Sequence, residues 1–383
     1  MTKNGSEKLK VLFLIHDLGP GGAEKVLVNL VNNLDRSKFD ITVISLFGGG
    51  VNEQFLREDV RYLTIFKKVF PGNSRIMKLF SPKRLHQWFI KEHYDIEVSY
   101  LEGPSARIVS GCEDPDTKLV SWIHGEQHTP EVADKAFRSH LEALQCYQRF
   151  NHTACVSEFV KQDFSSLYPG IENVSVLYNT NETDEILEKQ HEPVEEGVFL
   201  PGEYRLCGVG KLMPIKGFDK LARIHKKLHD DDLPVHTYLL GSGPEKERIQ
   251  QYVEENGLQK SITFLGYQTN PYKYVSKCDV FLCTSSAEGF STAATEALIL
   301  GVPVVTTPVS GMKEMLGEHD EYGIVTDGSE ESLYKAVKKL LEDPKLLQAY
   351  KEKATLRGKD FSKKKTVKAV EEMLNSLCER TGG

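Results

Sequence analysis

The chain has 383 residues, 40% of them hydrophobic and 27% charged, with a formal net charge of −7. That length exceeds one ordinary domain and suits two, each able to bury a core. The composition excludes a disordered, collagenous or disulfide-scaffold chain, and no apolar run approaches the ~18 residues that a membrane-spanning helix needs.

The first ten residues, MTKNGSEKLK, lack the apolar stretch of a secretion signal. Seven cysteines are scattered with no C-x-x-C pair, which suits reduced, buried thiols. A cytoplasmic protein is therefore expected, in which the Asn-x-Ser/Thr matches at Asn4, Asn151, Asn173 and Asn181 carry no glycosylation meaning.

In chain order, the apolar strand Lys10 to His16 leads through the loop HDLGPGG into a helical pattern from Ala23 to Leu34, then a strand from Phe39 to Leu46. From Val60 to Lys91 there is no acid, while eight cations (Arg61, Lys67, Lys68, Arg75, Lys78, Lys83, Arg84 and Lys91) interleave with aromatic and aliphatic residues. Such a stretch suggests an anionic membrane surface, with peripheral attachment to the inner face of the cell membrane, or a phosphorylated lipid carrier. No nucleic-acid-binding motif accompanies it, so nucleic acid is not the expected partner. Strands at Ile96 to Tyr100, Lys118 to Ile123, Thr153 to Val156 and Val174 to Leu177 alternate with helices, the longest expected from Glu131 to Phe150.

Periodicity lapses between Asn179 and Gly202, the expected interdomain linker. Six further strands follow, at 204–209, 235–240, 262–265, 280–283, 304–306 and 323–325, again alternating with helices. The expected fold class is α/β, with two Rossmann-like, doubly wound parallel sheets facing a cleft. The expected divisions are an N-terminal domain over 1–180, a linker over 181–202, a C-terminal domain over 203–360 and a last helical segment over 361–383.

The stretch DVFLCTSSAEGFSTAATEALILGVPVVTTPVSG (Asp279 to Gly311) is a strand, a loop of small residues, a helix opening near Ser291 and closing at Gly301, and a second strand. Ligands of parallel sheets bind at the carboxyl ends of the strands, where helix N-termini favour anions. Small residues there let a phosphate approach the backbone. Two carboxylates, Glu288 and Glu296, stand with seven residues between them and can accept hydrogen bonds from sugar hydroxyls.

Upstream, VGKLMPIKGFDKL ends a strand in a turn holding Lys211 and Lys216, two cations suited to a diphosphate. GPGGAE (Gly19 to Glu24) and LLGSGPEKERI (Leu239 to Ile249) place further glycine turns after strands. The first lacks the spaced third glycine and downstream acid of a dinucleotide-binding fingerprint, which argues against an NAD enzyme. WIHGEQH sets His124 immediately after a strand; His16, His128, Ser157 and Glu102 also stand at or near strand ends. Asp114-Pro115-Asp116 is a D-x-D match, but it lies far from any glycine-rich turn, so no metal site is expected.

Taken together, EGF, the E-x7-E spacing, TEAL, GVPVV, GKLMPIKG and GSGPE resemble the retaining GT-B glycosyltransferases of family 4 (glycosyltransferase group 1) that build bacterial surface polysaccharides. The resemblance covers nearly the whole chain. It is strongest from Gly208 to Gly311 and weakest from Gly48 to Tyr94. It implies transfer of a sugar from a nucleotide-diphosphate donor, most commonly UDP-linked, to a glycan acceptor that is often lipid-linked.

By that resemblance Lys216, Glu288 and His124 are the catalytic residues. Gly21, Gly22, Lys211, Lys216, Gly241, Tyr267, Glu288, Gly289, Phe290, Ser291, Thr292 and Glu296 line the donor. Gly243 could border the nucleotide. Glu296 would hold the ribose, and the backbone near Tyr267 the base. Lys211 departs from the family's usual Arg, substituting a point charge for a bidentate fork. The resemblance implies no metal cofactor. Two other readings fit the same motifs: a nucleotide-sugar epimerase of this fold, and a catalytically silent subunit that binds a partner transferase.

Overall fold

The computed structural model of the protein describes residues 8–70 and 72–378. The start of the N-terminal segment, with its Asn4 match, Pro71 of the basic stretch and the last five residues lie outside the described residues. The chain divides into two compact units, residues 1–181 with 364–383, and residues 182–363.

Unit 1 holds β1 (Leu9–Ile15), β2 (Phe39–Phe47), β3 (Arg61–Phe66), β4 (Ile96–Ser99), β5 (Lys118–Ile123), β6 (His152–Cys155) and β7 (Val174–Val176). They form one parallel sheet in the order β3-β2-β1-β4-β5-β6-β7. In the middle strand Val11 to Ile15 are fully buried, because helices cover both faces of such a sheet and leave no room for polar alternation. β3 was not expected. It is an edge strand whose residues are mostly exposed or half-buried, so it carries no continuous apolar run.

Unit 2 holds β8 (Tyr204–Val209), β9 (Val235–Leu240), β10 (Ile262–Gly266), β11 (Val280–Cys283), β12 (Val304–Thr306) and β13 (Ile324–Val325), parallel in the order β10-β9-β8-β11-β12-β13. Its core gathers Leu206, Leu221, Ile224, Leu239, Val280, Leu282 and Val305 from the sheet and the helix Phe218–Asp230, with Leu333, Val337 and Leu340 from the helix Glu330–Glu342.

Two expectations need correction. The long helix from Glu131 to Phe150 is two: Pro130–Ala133 runs into a 3₁₀ turn, and a separate helix spans His140–Tyr147. Ser139 starts the second by accepting the Glu142 N–H at 3.2 Å, in the S-x-x-E pattern of a capping box. The stretch 181–202 is also no bare linker. It carries the helix Thr183–Lys189, whose Ile186 packs with Tyr272 and Ile299 of unit 2. Asp184 and Glu185 sit in its first turn, where the helix dipole favours acids.

The last helix, Lys363–Cys378, contributes Val367, Val370, Met373 and Leu374 to buried positions, and Glu371 accepts the Asp35 N–H at 2.8 Å within unit 1. No helix among the described residues is long and apolar enough to cross a membrane.

Candidate functional site

In a doubly wound sheet the chain winds one way from a central strand and then the other. The loops on either side of that reversal splay apart, opening a crevice at the carboxyl ends. In unit 2 the reversal falls between β8 and β11. The loops leaving those two strands, 210–217 and 284–291, are the two richest in the expected donor residues.

These loops are laced together. The Ser286 N–H donates to Ile215 O at 2.8 Å, and Thr284 Oγ1 donates to the carbonyls of Gly217 at 2.8 Å and Lys216 at 3.1 Å. Lys216 Nζ donates to Glu288 Oε1 at 2.6 Å, and Ser285 Oγ donates to the same oxygen at 2.7 Å. The lysine side chain is 31% exposed and the glutamate 11%. One contact leaves an ammonium with two further N–H donors, and Glu288 Oε2 has no hydrogen-bond partner among the described residues. The arrangement can therefore present cation and acceptor side by side. Lys211 stands exposed in the same loop.

The helix Thr292–Ile299 begins after Ser291, whose Oγ caps the Ala294 N–H at 3.4 Å. Its first N–H groups and the 286–290 backbone lie at the carboxyl end of β11, where anions are favoured. Phe290 is buried against Phe361, edge to face at 5.7 Å, and so anchors the loop instead of lining it. Gly289 adjoins it. Glu296 is buried, not a solvated helix residue, and accepts from Tyr272 Oη at 3.3 Å.

Gly241 has φ +143°, and a Cβ there would lie 1.8 Å from the Gly210 carbonyl oxygen. It lets the loops after β8 and β9 run in contact, with Leu212 N–H donating to Ser242 O at 2.9 Å. Gly243 packs likewise on Leu212. The glycines thus shape the crevice from behind. Tyr267, 61% exposed, stands just past β10.

In unit 1 the winding reverses between β1 and β4. After β1, Gly21 is the N-cap of the helix Gly22–Asn33. Asp17 accepts the Gly19 N–H at 2.7 Å and a hydrogen bond from His16 at 2.6 Å; the bond from His16 holds its carboxyl below the ordinary carboxylate range against the opposing effect of burial. Asn52 donates to the Gly19 carbonyl. Sequence reasoning missed Asp17, although an Asp two residues before a glycine is an Asx-turn spacing.

His124, next after β5, packs its ring 4.8 Å from Tyr100 and 6.4 Å from Trp122. Burial pushes its imidazole down to about 3, so the ring is neutral at physiological pH. His124 Nε2, Tyr100 Oη and Trp122 Nε1 are all buried without a hydrogen-bond partner among the described residues, and buried polar atoms left unsatisfied are exceptions that call for an explanation. Glu102 accepts the His124 N–H at 3.0 Å and Gln127 Nε2 at 3.2 Å, and burial raises its carboxyl.

Other candidates fall elsewhere. Ser157 is fully buried and caps the helix Glu158–Leu167 through the Val160 N–H. His128 is an exposed residue at φ +58°, its N–H held by Asp163. Asp114 and Asp116 lie in the loop that enters β5, at the amino end of the sheet, and Asp114 is bonded to His93 at 2.9 Å. Of the eight cations from 60 to 91, Arg61 pairs with Glu92 and Lys83 with Glu113 at 2.7 Å. Lys67, Lys68, Arg75 and Arg84 are exposed with no carboxylate partner among the described residues, and Val69, Ile76, Leu79 and Trp88 are exposed beside them.

Two family models match the chain in succession. "Glycosyltransferase Family 4" covers residues 20–185 and "Glycosyl transferases group 1" covers residues 193–357. A Campylobacter jejuni enzyme, N-acetylgalactosamine-N,N'-diacetylbacillosaminyl-diphospho-undecaprenol 4-alpha-N-acetylgalactosaminyltransferase, is 28% identical over 93% of this chain and 96% of its own length. The lipopolysaccharide core biosynthesis glycosyltransferase LpsD of Rhizobium meliloti is 29% identical over 87% of this chain and 88% of its own. Among solved structures, Anabaena HepE in complex with UDP superposes with a TM-score of 0.78 at 19% identity, covering 96% of this chain and all of that one. Two successive glycosyltransferase models, relatives matched along almost their full length and a shared GT-B fold lead to one conclusion: the chain is a glycosyltransferase of group 1, family 4.

Proposed function

We propose that the protein is a retaining transferase that moves a sugar from a UDP-linked donor to a lipid-linked glycan in surface-polysaccharide synthesis. The observation that carries the donor half is the Lys216–Glu288 contact at the unit 2 switch point, beside a capped helix N-terminus. The relatives named for lipopolysaccharide core synthesis and for transfer to a diphospho-undecaprenol acceptor support the acceptor half, as the UDP complex of HepE supports the base.

In this reading Lys216, helped by Lys211 and the helix N-terminus, stabilises the charge that grows on the departing diphosphate. Glu288 Oε2 accepts from donor sugar hydroxyls and Glu296 from the ribose. The leaving phosphate takes the acceptor's proton, and neutral His124 positions the sugar without acting as a base. Six of the seven thiols are buried and none is paired, consistent with a cytoplasmic protein.

The donor assignment is tested by thermal shift across a panel of nucleotide sugars. A UDP-sugar at 100 times its Kd should stabilise the chain by ~2.7 kcal/mol. A response to GDP-sugars alone would overturn the base assignment. Activity should also survive brief chelation, because fixed lysines and a helix terminus supply the positive charge that a cation gives in metal-dependent transferases. Loss on EDTA, restored by Mg²⁺ or Mn²⁺, would redirect attention to Asp114 and Asp116.

The exposed cations and aliphatics of residues 67–88 are assigned to an anionic membrane surface holding the acceptor. Each cation near such a surface is worth about 1 kcal/mol. Converting Lys67, Lys68, Arg75 and Arg84 to Glu should therefore weaken vesicle binding by roughly a thousandfold, leaving nucleotide binding unchanged. Unaltered sedimentation of this variant with anionic vesicles would contradict the assignment.

A further inference from the structure

One group of three potential metal ligands occurs among the described residues, and it lies apart from the candidate site: His86, Glu97 and Cys112, whose donor atoms all fall within 4.8 Å of one another. His86 comes from the helix Pro82–Phe89, Glu97 from β4, and Cys112 from the loop that follows the helix Pro104–Val109. His86 Nε2 is 2.8 Å and 3.1 Å from the two Glu97 oxygens. Glu97 is 1% exposed and Cys112 3%. A carboxylate in the middle of a buried sheet requires a compensating cation, either a protonated partner or a metal ion.

We propose that His86, Glu97 and Cys112 form a structural zinc site in unit 1. The donor set, one imidazole nitrogen, one carboxylate oxygen and one thiolate, is of the mixed N/O/S kind that borderline-soft Zn²⁺ takes. Tetrahedral zinc with its usual bond lengths sets ligand atoms about 3.3–3.6 Å apart. The His86–Glu97 contact would open by a few tenths of an ångström and Cys112 close in, a small rearrangement for side chains on three separate segments. A water or the second Glu97 oxygen completes the shell.

The position explains what such an ion would do. Glu97 is paired in register with Leu12 and Leu119, near the amino end of the sheet, opposite the carboxyl ends that carry His124 and Glu102. The site is thus structural and remote from chemistry. It would fasten to β4 the short helix that bears Lys83, Arg84 and the exposed Trp88, whose buried anchors are few: Leu85 is its one fully buried residue. Binding displaces the proton shared by the imidazole and carboxylate, and the thiol proton is released to solvent.

The test uses the untagged full chain, stripped of metal and titrated with Zn²⁺ and separately with Co²⁺. One equivalent should bind, and the cobalt form should show thiolate-to-metal charge-transfer absorption. Cys112→Ser, a near-isosteric change that spares the His86–Glu97 contact, should abolish that absorption and weaken zinc binding at least tenfold while leaving nucleotide-sugar turnover intact. Removing His86 would strand the buried carboxylate, so His86→Gln is judged by metal content only if its circular dichroism matches the parent. Substoichiometric zinc, equal affinity in Cys112→Ser, or a cobalt spectrum without the thiolate band would overturn the proposal and leave a plain imidazole–carboxylate pair.

Discussion

Lys216→Ala is expected to lower kcat by about 10²–10³-fold, the cost of removing one preorganised donor aimed at developing charge, ~2.7–4 kcal/mol. Stability should barely change, because a partly exposed ion pair contributes only ~1 kcal/mol or less to folding. The geometry sharpens the expectation. Lys216 Nζ is held by Glu288 Oε1, which Ser285 also engages, so the ammonium is oriented before any donor arrives. Glu288→Gln should then lose part of the same effect, and the double variant should lose less than the sum, since the two side chains act as a unit. Retention of more than half the parent turnover by a folded Lys216→Ala protein would contradict the role.

The second large effect is structural. Gly241→Ala should destabilise unit 2 by roughly 3–5 kcal/mol, combining a backbone conformation that side chains avoid with an overpacked contact. The added Cβ would meet Gly210 O at 1.8 Å, a backbone atom that cannot swing aside. At about 2–4 °C per kcal/mol for a unit of this size, the melting transition should fall by on the order of 10 °C. Because the β8 loop that Gly241 packs against carries Lys211 and Lys216, donor affinity should fall with it. A transition within 2 °C of the parent would show that the loops yield, and the close-packing account of Gly241 would be wrong.

Most of unit 2 is legible in the sequence because its strands are short apolar runs punctuated by glycines that only tight loop packing explains. All six strands and the helix opened by Ser291 follow from periodicity and caps. Unit 1 is less legible where physics leaves a weaker trace. β3 is an edge strand without an apolar run, and the Glu131–Phe150 periodicity concealed a break that the Ser139–Glu142 capping box marks. The acid-free stretch is acid-free only along the chain: folding brings Glu92 to Arg61 and Glu113 to Lys83. The candidate site divides in the same way. Lys216, Glu288 and Glu296 stand out by spacing, whereas the three orphaned polar atoms of Tyr100, Trp122 and His124 converge only once β4 and β5 pair in register. The Asp17 turn is readable as an Asx-turn spacing, whereas the contact of Asn52 with Gly19 joins residues that no short motif links.

The most direct test of the account is the anomeric configuration of the product. A panel of α-linked UDP-sugars is incubated with the chain and a polyprenyl-diphosphate-linked glycan acceptor, and the new linkage is assigned by proton NMR coupling. The account predicts an α-linkage, formed with one UDP released per sugar transferred. A β-linkage, or UDP released with free altered sugar when no acceptor is present, would contradict it.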